Sequence, residues 1–249
     1  MPKKKDMTAD NKRLDAQAHV QEYNQGAQDF KEKGKNLSTW VYIGGPAIDK
    51  FANSIPNKEQ ATILVQGSGN GRDAERLIEN GFSPKNITGI EISPVEAENA
   101  RQDIPEATFI VGSLTEVEYP KNLDAAQQHM VCEHLDDETL AEVNHRTFEA
   151  LKPGGKYLVI GTHPEKTAIS SGLKESGSFM TTFPWGGEGL NYHRTKEDLI
   201  KAYEDAGFII DEVKDIQIPK EAEETHPEDY EKYQKYPYLR ISITMHKPE

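Results

Sequence analysis

Ala61-Thr62-Ile63-Leu64-Val65 is a short apolar, β-branched run that stops at Gly67-Ser68-Gly69-Asn70-Gly71. No other feature restricts the fold of the chain as much. A run of this length ending in glycine reads as a buried strand. Three glycines in five residues let the backbone turn sharply and come close to a ligand where a Cβ would collide. Asp73 to Asn80 then reads as a helix stopped by Gly81. The start of such a helix presents unpaired N–H groups to a carboxylate or a phosphate.

The same unit repeats downstream. Strands are predicted over 87–91, 108–111, 123–127 and 157–160, with helices over 94–103 and 137–151. Strand and helix in alternation imply right-handed crossovers and a doubly wound, mostly parallel α/β sheet. The last third differs. Lys196 to Ala206 reads as a helix stopped by Gly207, and Phe208-Ile209-Ile210 begins a strand. Residues 211–231 are strongly acidic and read as a solvated loop or helix. Leu239 to Met245 alternates cleanly as a final strand. No crossover pattern separates the last two strands, so that pair is expected to be antiparallel.

These patterns divide the chain into a polar tail over 1–15 and one domain over 16–249. The domain has an N-terminal helical cap over 16–60 and a core over 61–161. A Gly-, Ser- and Thr-rich lid follows over 162–194, then a C-terminal helix and strands over 195–249. The net charge of −13 disfavours nucleic acid and anionic membrane as partners, because affinity for either rests on Lys and Arg. Cys132 is the one cysteine, so no internal disulfide is possible. Lys3-Lys4-Lys5 has no apolar stretch behind it, and no run is long enough to span a bilayer. The chain therefore reads as a soluble, cytoplasmic monomer or homodimer that handles a small molecule.

Two ligand classes use such a glycine loop. A dinucleotide site wants G-x-G-x-x-G, whose third glycine falls on Arg72 here. The observed G-x-G-x-G suits a nucleoside bearing an amino acid better than one bearing a pyrophosphate. A plain tight turn would use the same glycines. Glu91 ends the second strand, 20 residues beyond Gly71. A carboxylate there can accept both hydroxyls of a ribose, and Ile92 beside it can cover the face of a base.

The succession Ile63 to Gly71, then Gly89-Ile90-Glu91-Ile92-Ser93, resembles motifs I and II of the class I S-adenosylmethionine (SAM)-dependent methyltransferases. Phe109-Ile110-Val111-Gly112-Ser113 resembles the third motif. Leu123 to Leu135 resembles the segment after the fourth strand in the type 11, quinone-biosynthesis-like subgroup. Leu151-Lys152-Pro153-Gly154-Gly155-Lys156 resembles the turn before strand five. The resemblance spans 61–161 closely and 190–246 more loosely. It implies a Rossmann-like, seven-stranded methyltransferase fold with SAM as cofactor.

The same resemblance assigns roles. Gly67, Ser68, Gly69, Asn70 and Gly71 would line the methionine and ribose, with Glu91 on the ribose hydroxyls and Ile92 against adenine. Ser113 and Leu114 would sit at the adenine edge, Gln128 and His129 beneath the sulfonium, and Tyr23 over the cofactor. Two positions depart from the family pattern. Val65 stands where an acid usually supports the loop, and Ser113 where Asp usually contacts adenine. Gln66 replaces a usual apolar residue.

Methyl transfer from a sulfonium is an in-line displacement that needs a base only for a poor nucleophile. His134, His163 and His193 are the candidate bases, since histidine titrates near neutral pH. Glu133-His134 is also similar to a pair in a metal-dependent subset of the family, but two adjacent residues make no metal site, and none is expected. Trp40, Phe183, Trp185 and Tyr192 are candidate walls for the acceptor. The competing readings are a catalytically silent SAM-binding module, suggested by Val65 and Ser113, and an NAD-dependent oxidoreductase, opposed by Arg72.

Overall fold

Seven strands build one sheet in the order β3-β2-β1-β4-β5-β9-β8. They are β1 Ile63–Gln66, β2 Ile87–Glu91, β3 Thr108–Val111, β4 Leu123–His129, β5 Leu151–Thr162, β8 Ile209–Ile216 and β9 Arg240–His246. This is a computed structural model that describes residues 20–21, 23–27, 31–182 and 188–249. Strands β1 to β5 are mutually parallel. Strand β9 runs antiparallel to both β5 and β8. The sheet is the doubly wound, mostly parallel one expected, with its antiparallel strand at the C-terminus.

Burial explains the central position of β1. Ile63, Leu64, Val65 and Gln66 are all buried, as a strand covered on both faces must be. Ile63 and Val65 pack with Phe51 of α2 Gly45–Asn53, Leu77 of α3 Arg72–Glu79 and Ala100 of α4 Pro94–Asp103. Leu64 faces the other way, toward Leu140 and Val143 of α5 Asp137–Ala150 and Tyr203 of α7 Lys196–Glu204. Helix starts follow capping chemistry. Ser93, Asp136 and Thr195 accept hydrogen bonds from the N–H groups of Glu96, Thr139 and Asp198.

The segment 162–194 is more regular than its composition suggests. It holds α6 Pro164–Ser171 and the antiparallel hairpin β6 Gly177–Thr182 and β7 Glu188–His193. Phe183 and Trp185 lie outside the described residues. Strand β8 also continues to Ile216 through acids that read as solvated. It is an edge strand, where outward charges are compatible with pairing on one side.

Two caps meet above the carboxyl ends of β5 and β8. One is the N-terminal part, with α1 taking in the helical residues 20, 21, 23–27 and 31–33. The other is the insertion between β8 and β9, with α8 Ala222–Thr225 and α9 Pro227–Tyr233. Ser38 Oγ donates to Asp229 at 2.5 Å, and the Tyr42 and Thr225 hydroxyls lie 2.6 Å apart. Beneath these contacts Ile43, Ile218, Ala222 and Leu239 form a small core of their own.

Candidate active site

The glycine loop has the left-handed backbone its composition allows. Gly67, Gly69 and Gly71 have φ of 62°, 51° and 88°. A Cβ on Gly67 would collide with Val131, which the turn after β4 delivers by way of Met130 at φ 59°. A Cβ on Gly69 would meet nothing within 4 Å, so space is open above the middle of the loop. Asn70 Oδ1 accepts the Arg72 N–H at 3.3 Å, easing the start of α3.

Glu91 joins this loop to the end of β2. One carboxylate oxygen accepts the Gly69 N–H at 2.8 Å, and the other accepts the Ser93 N–H at 2.8 Å. Burial pushes the carboxyl above its ordinary pKa, while the amides of Ser93, Gly69 and Ile92 pull it back. Each oxygen keeps acceptor capacity for a further donor. Close by, the buried Ser68 hydroxyl has no partner among the described residues. Ile92 is half-buried at the same edge, and Leu114 packs in the core with Ile90. Ser113 bonds locally, accepting the Thr115 N–H at 3.3 Å.

The residues named on β4 separate. His129 Nδ1 lies 3.2 Å from Asp73 Oδ2, and its ring stacks on Trp40 with centroids 5.9 Å apart. The Arg72 guanidinium lies 4.0 Å over the Trp40 ring and donates to Gly34 O at 2.9 Å. This stack contributes on the order of 1 kcal/mol where it is shielded from water. Burial would raise the Asp73 pKa, but His129 and Arg72 outweigh it and hold the carboxyl below its ordinary value. Trp40, expected on the acceptor side, is thus part of a cluster at the start of α3. Gln128 points to the opposite face of the sheet, where its amide donates to Gln66 Oε1 at 3.5 Å. Strand alternation sends 127 and 129 one way and 128 the other, so Gln128 is not brought to the loop.

A second group stands beside the first, on the short helical turn Cys132–His134. Glu133 accepts the Thr162 hydroxyl at 2.8 Å. Burial works to raise its pKa, but the charge of His134, the Thr162 hydrogen bond and Arg240 hold it below the ordinary value. Tyr23 meets the His134 ring edge-on at 5.9 Å. Burial, then the charges of Glu133 and Glu91, push its hydroxyl well above its ordinary pKa. Arg194 anchors the turn, donating to Cys132 O at 2.9 Å, Leu135 O at 2.6 Å and Asp137 Oδ1 at 3.0 Å. Tyr192 and Glu133 line a cavity of about 20 Å³ there.

The three histidines differ. His163 caps α6: Nδ1 accepts the Glu165 N–H at 3.1 Å and Nε2 lies 3.0 Å from Asp215. Its ring is 1% exposed. His193 is buried, with Nδ1 2.6 Å from the Thr167 hydroxyl. The same hydroxyl lies 2.9 Å from Pro164 O. Burial lowers the His193 pKa, with Asp198 opposing. Of the three, only His134 stands against Tyr23.

Sequence reasoning missed Arg194, although its segment was noted, and also Asp73, Lys166 and Arg240. Asp73 had a signal in the first turn of a helix that follows the loop; the others become visible only through long-range packing. A further cavity of about 500 Å³ runs between α2 and strands β5, β9 and β8. It includes Gly154 and Lys156 near the start of β5, and ligands of open α/β sheets bind beyond the opposite, carboxyl ends.

Comparisons with known proteins agree with this geometry. Residues 63–155 match the family described as a methyltransferase domain. No curated protein matches the sequence. Among solved structures, a SAM-dependent methyltransferase from Mesorhizobium loti aligns with TM-score 0.65 and 19% identity over 85% of this chain and 98% of that one. The 1,6-didemethyltoxoflavin N1-methyltransferase of Burkholderia thailandensis aligns with TM-score 0.65 and 14% identity over 100% of this chain and 94% of that one. The [4+2]-cyclase SpnF aligns with TM-score 0.67 and 20% identity over 94% and 97%. At these identities the structural likenesses establish the fold.

Proposed function

We propose that this chain, a member of the class I SAM-dependent methyltransferases, methylates a small-molecule acceptor held between the glycine loop and the Cys132–His134 turn. The observation that carries the reading is Glu91. It is a buried carboxylate bonded to the amide of the glycine loop, at the edge of open space above Gly69. The donor set fits the cofactor. Glu91 would accept ribose hydroxyls, the unpartnered Ser68 hydroxyl would gain a bond, and Ile92 would flank the base. When bound, SAM supplies a methyl group on a sulfonium, which needs no further activation.

The chain then has to position the acceptor and exclude water. Tyr23 packs edge-on against His134 and would close over the cofactor. Arg194 fixes the turn that carries His134. Hydrogen bonding occupies His163 as a helix cap and ties His193 to Thr167. His134, on the Cys132–His134 turn and against Tyr23, is the base we assign if the acceptor is a hydroxyl. Tyr192 and the β6–β7 hairpin form the acceptor side.

A second reading, a SAM-binding module without methyl transfer, is favoured by Val65 and Ser113. The two readings separate in one experiment. The protein is titrated with S-adenosylhomocysteine (SAH) by calorimetry, and SAH release from SAM is followed across a panel of small alcohols, phenols, amines and carbon acids. Our reading expects saturable SAH binding and release driven by at least one acceptor class. Binding without release would support the silent module, and no binding would overturn both.

A further inference from the structure

The net charge is −13, yet three lysines gather around the rings of Tyr233 and Tyr236, at and just after the end of α9. Lys166 Nζ lies 5.7 Å from the ring centres of both Tyr233 and Tyr236. Lys232 lies 5.4 Å over Tyr233, and Lys235 lies 5.0 Å over Tyr236. Arg240 opens β9 and pairs in register with Thr162, the last residue of β5. Its guanidinium therefore belongs to the carboxyl end of the sheet, on the side of Glu133 and His134.

Lys166 and Arg240 are half-buried, whereas Lys232 and Lys235 are exposed, where an unpaired lysine is ordinary. Among the described residues, none of the four forms an ion pair with a carboxylate. The Arg240 guanidinium makes one hydrogen bond among the described residues, to Leu239 O at 3.2 Å. The acid whose charge reaches both Lys166 and Arg240 is Glu133, a single negative charge that it shares with His134 as well. Asp229 stands near Tyr233 but accepts from Ser38. Burial, then repulsion from Arg240, lowers the Lys166 pKa to about 7. An anion between the two side chains would relieve that repulsion and the desolvation together.

We propose that Arg240 and Lys166, walled by Tyr233 and Tyr236, form a subsite for an anionic group on the methyl acceptor, a carboxylate or a phosphate. The assignment to the acceptor rests on the methyltransferase reading above. A guanidinium presents paired N–H donors that match the oxygens of either group, and the ammonium adds a point charge. The tyrosine faces hold the ammonium in place when no anion is bound. The Glu133–Thr162 hydrogen bond links the subsite to the turn bearing His134, so an acceptor anchored here extends toward Tyr23. If the cations served only to hold the α8–α9 insertion, an added anion would not compete for them.

The test uses the full chain with isotopically labelled lysine side chains, titrated by NMR at pH 7 and constant ionic strength. Inorganic phosphate and acetate are the probes, and the two arms tell a phosphate site from a carboxylate site. Saturable shifts of the Lys166 signal are expected with at least one anion, together with a rise in its pKa of at least one unit. The exposed Lys201 should not respond. Arg240→Gln should weaken anion binding at least tenfold and leave SAH affinity within about twofold. Lys166→Met provides the same comparison by calorimetry if Arg240→Gln folds poorly. No saturable shift with either anion, or undiminished binding in both variants, overturns the subsite. Loss of SAH binding by the wild-type chain would instead strike the methyltransferase reading, so the two failures are distinguishable.

Discussion

Gln66 is a polar residue at the end of a central strand, 0% exposed, and sequence alone offers no reason for it. The structure does. Its amide donates to Thr147 Oγ1 at 2.7 Å and Tyr119 Oη at 3.3 Å, and its oxygen accepts the Tyr157 hydroxyl at 2.8 Å. This network backs the glycine loop from the face opposite the cofactor. Gln66→Leu would leave the Tyr157 and Thr147 hydroxyls buried with fewer partners. It should lower unfolding stability by about 1–3 kcal/mol in chemical denaturation. A loss near zero would mean that the network repairs itself. Val65 is similarly resolved. It is an apolar core residue, 1% exposed, and the buried acid bonded to the loop is Glu91 at the end of β2. The departure was legible in the sequence. Its packing was not, because the partners of Val65 come from α2, α3 and α4.

The strand–helix alternation predicted β1 to β5 and α3, α4, α5 and α7, because each has local periodicity and most have a local cap or glycine stop. The elements that build the acceptor side were less legible. α6 hides in a stretch rich in Ser and Thr, and its cap is a histidine rather than one of the usual capping residues. His163→Ala should cost about 1 kcal/mol of stability through loss of that cap, read as a lower thermal midpoint. His163→Asn should restore most of it. A catalytic role would predict unchanged stability in both variants. β8 is masked by acids along an exposed edge, and α8 and α9 have too few apolar residues to signal their packing onto Tyr42 and Ile43. Arg194 shows the same limit: the carbonyls it fixes lie 62 and 59 positions away in sequence.

At the scale of the molecule, sheet order alone places the loop after β1, the end of β2 and the turn after β4 side by side. β1 lies between β2 and β4, so Gly69, Glu91 and Val131 converge where parallel strands end. The caps from the N-terminal part and from the β8–β9 insertion then close over that edge. Among the described residues no helix is long and apolar enough to cross a membrane. The fold was thus readable from spacing along the chain, and the cofactor class from the resemblance of its motifs to a known family. The acceptor chemistry we propose was not, because it joins Lys166 of α6 to the distant stretch that carries Tyr233, Tyr236 and Arg240. The central claim is that Glu91 and the glycine loop hold a nucleoside bearing an amino acid. Its most direct test is a calorimetric titration of SAH into the wild-type chain and into Glu91→Ala, with NAD as the competing ligand. The account predicts saturable SAH binding, weakened at least tenfold by the substitution, or about 1.4 kcal/mol, and no heat from NAD. Equal SAH affinity in the two proteins, or NAD binding in place of SAH, would contradict it.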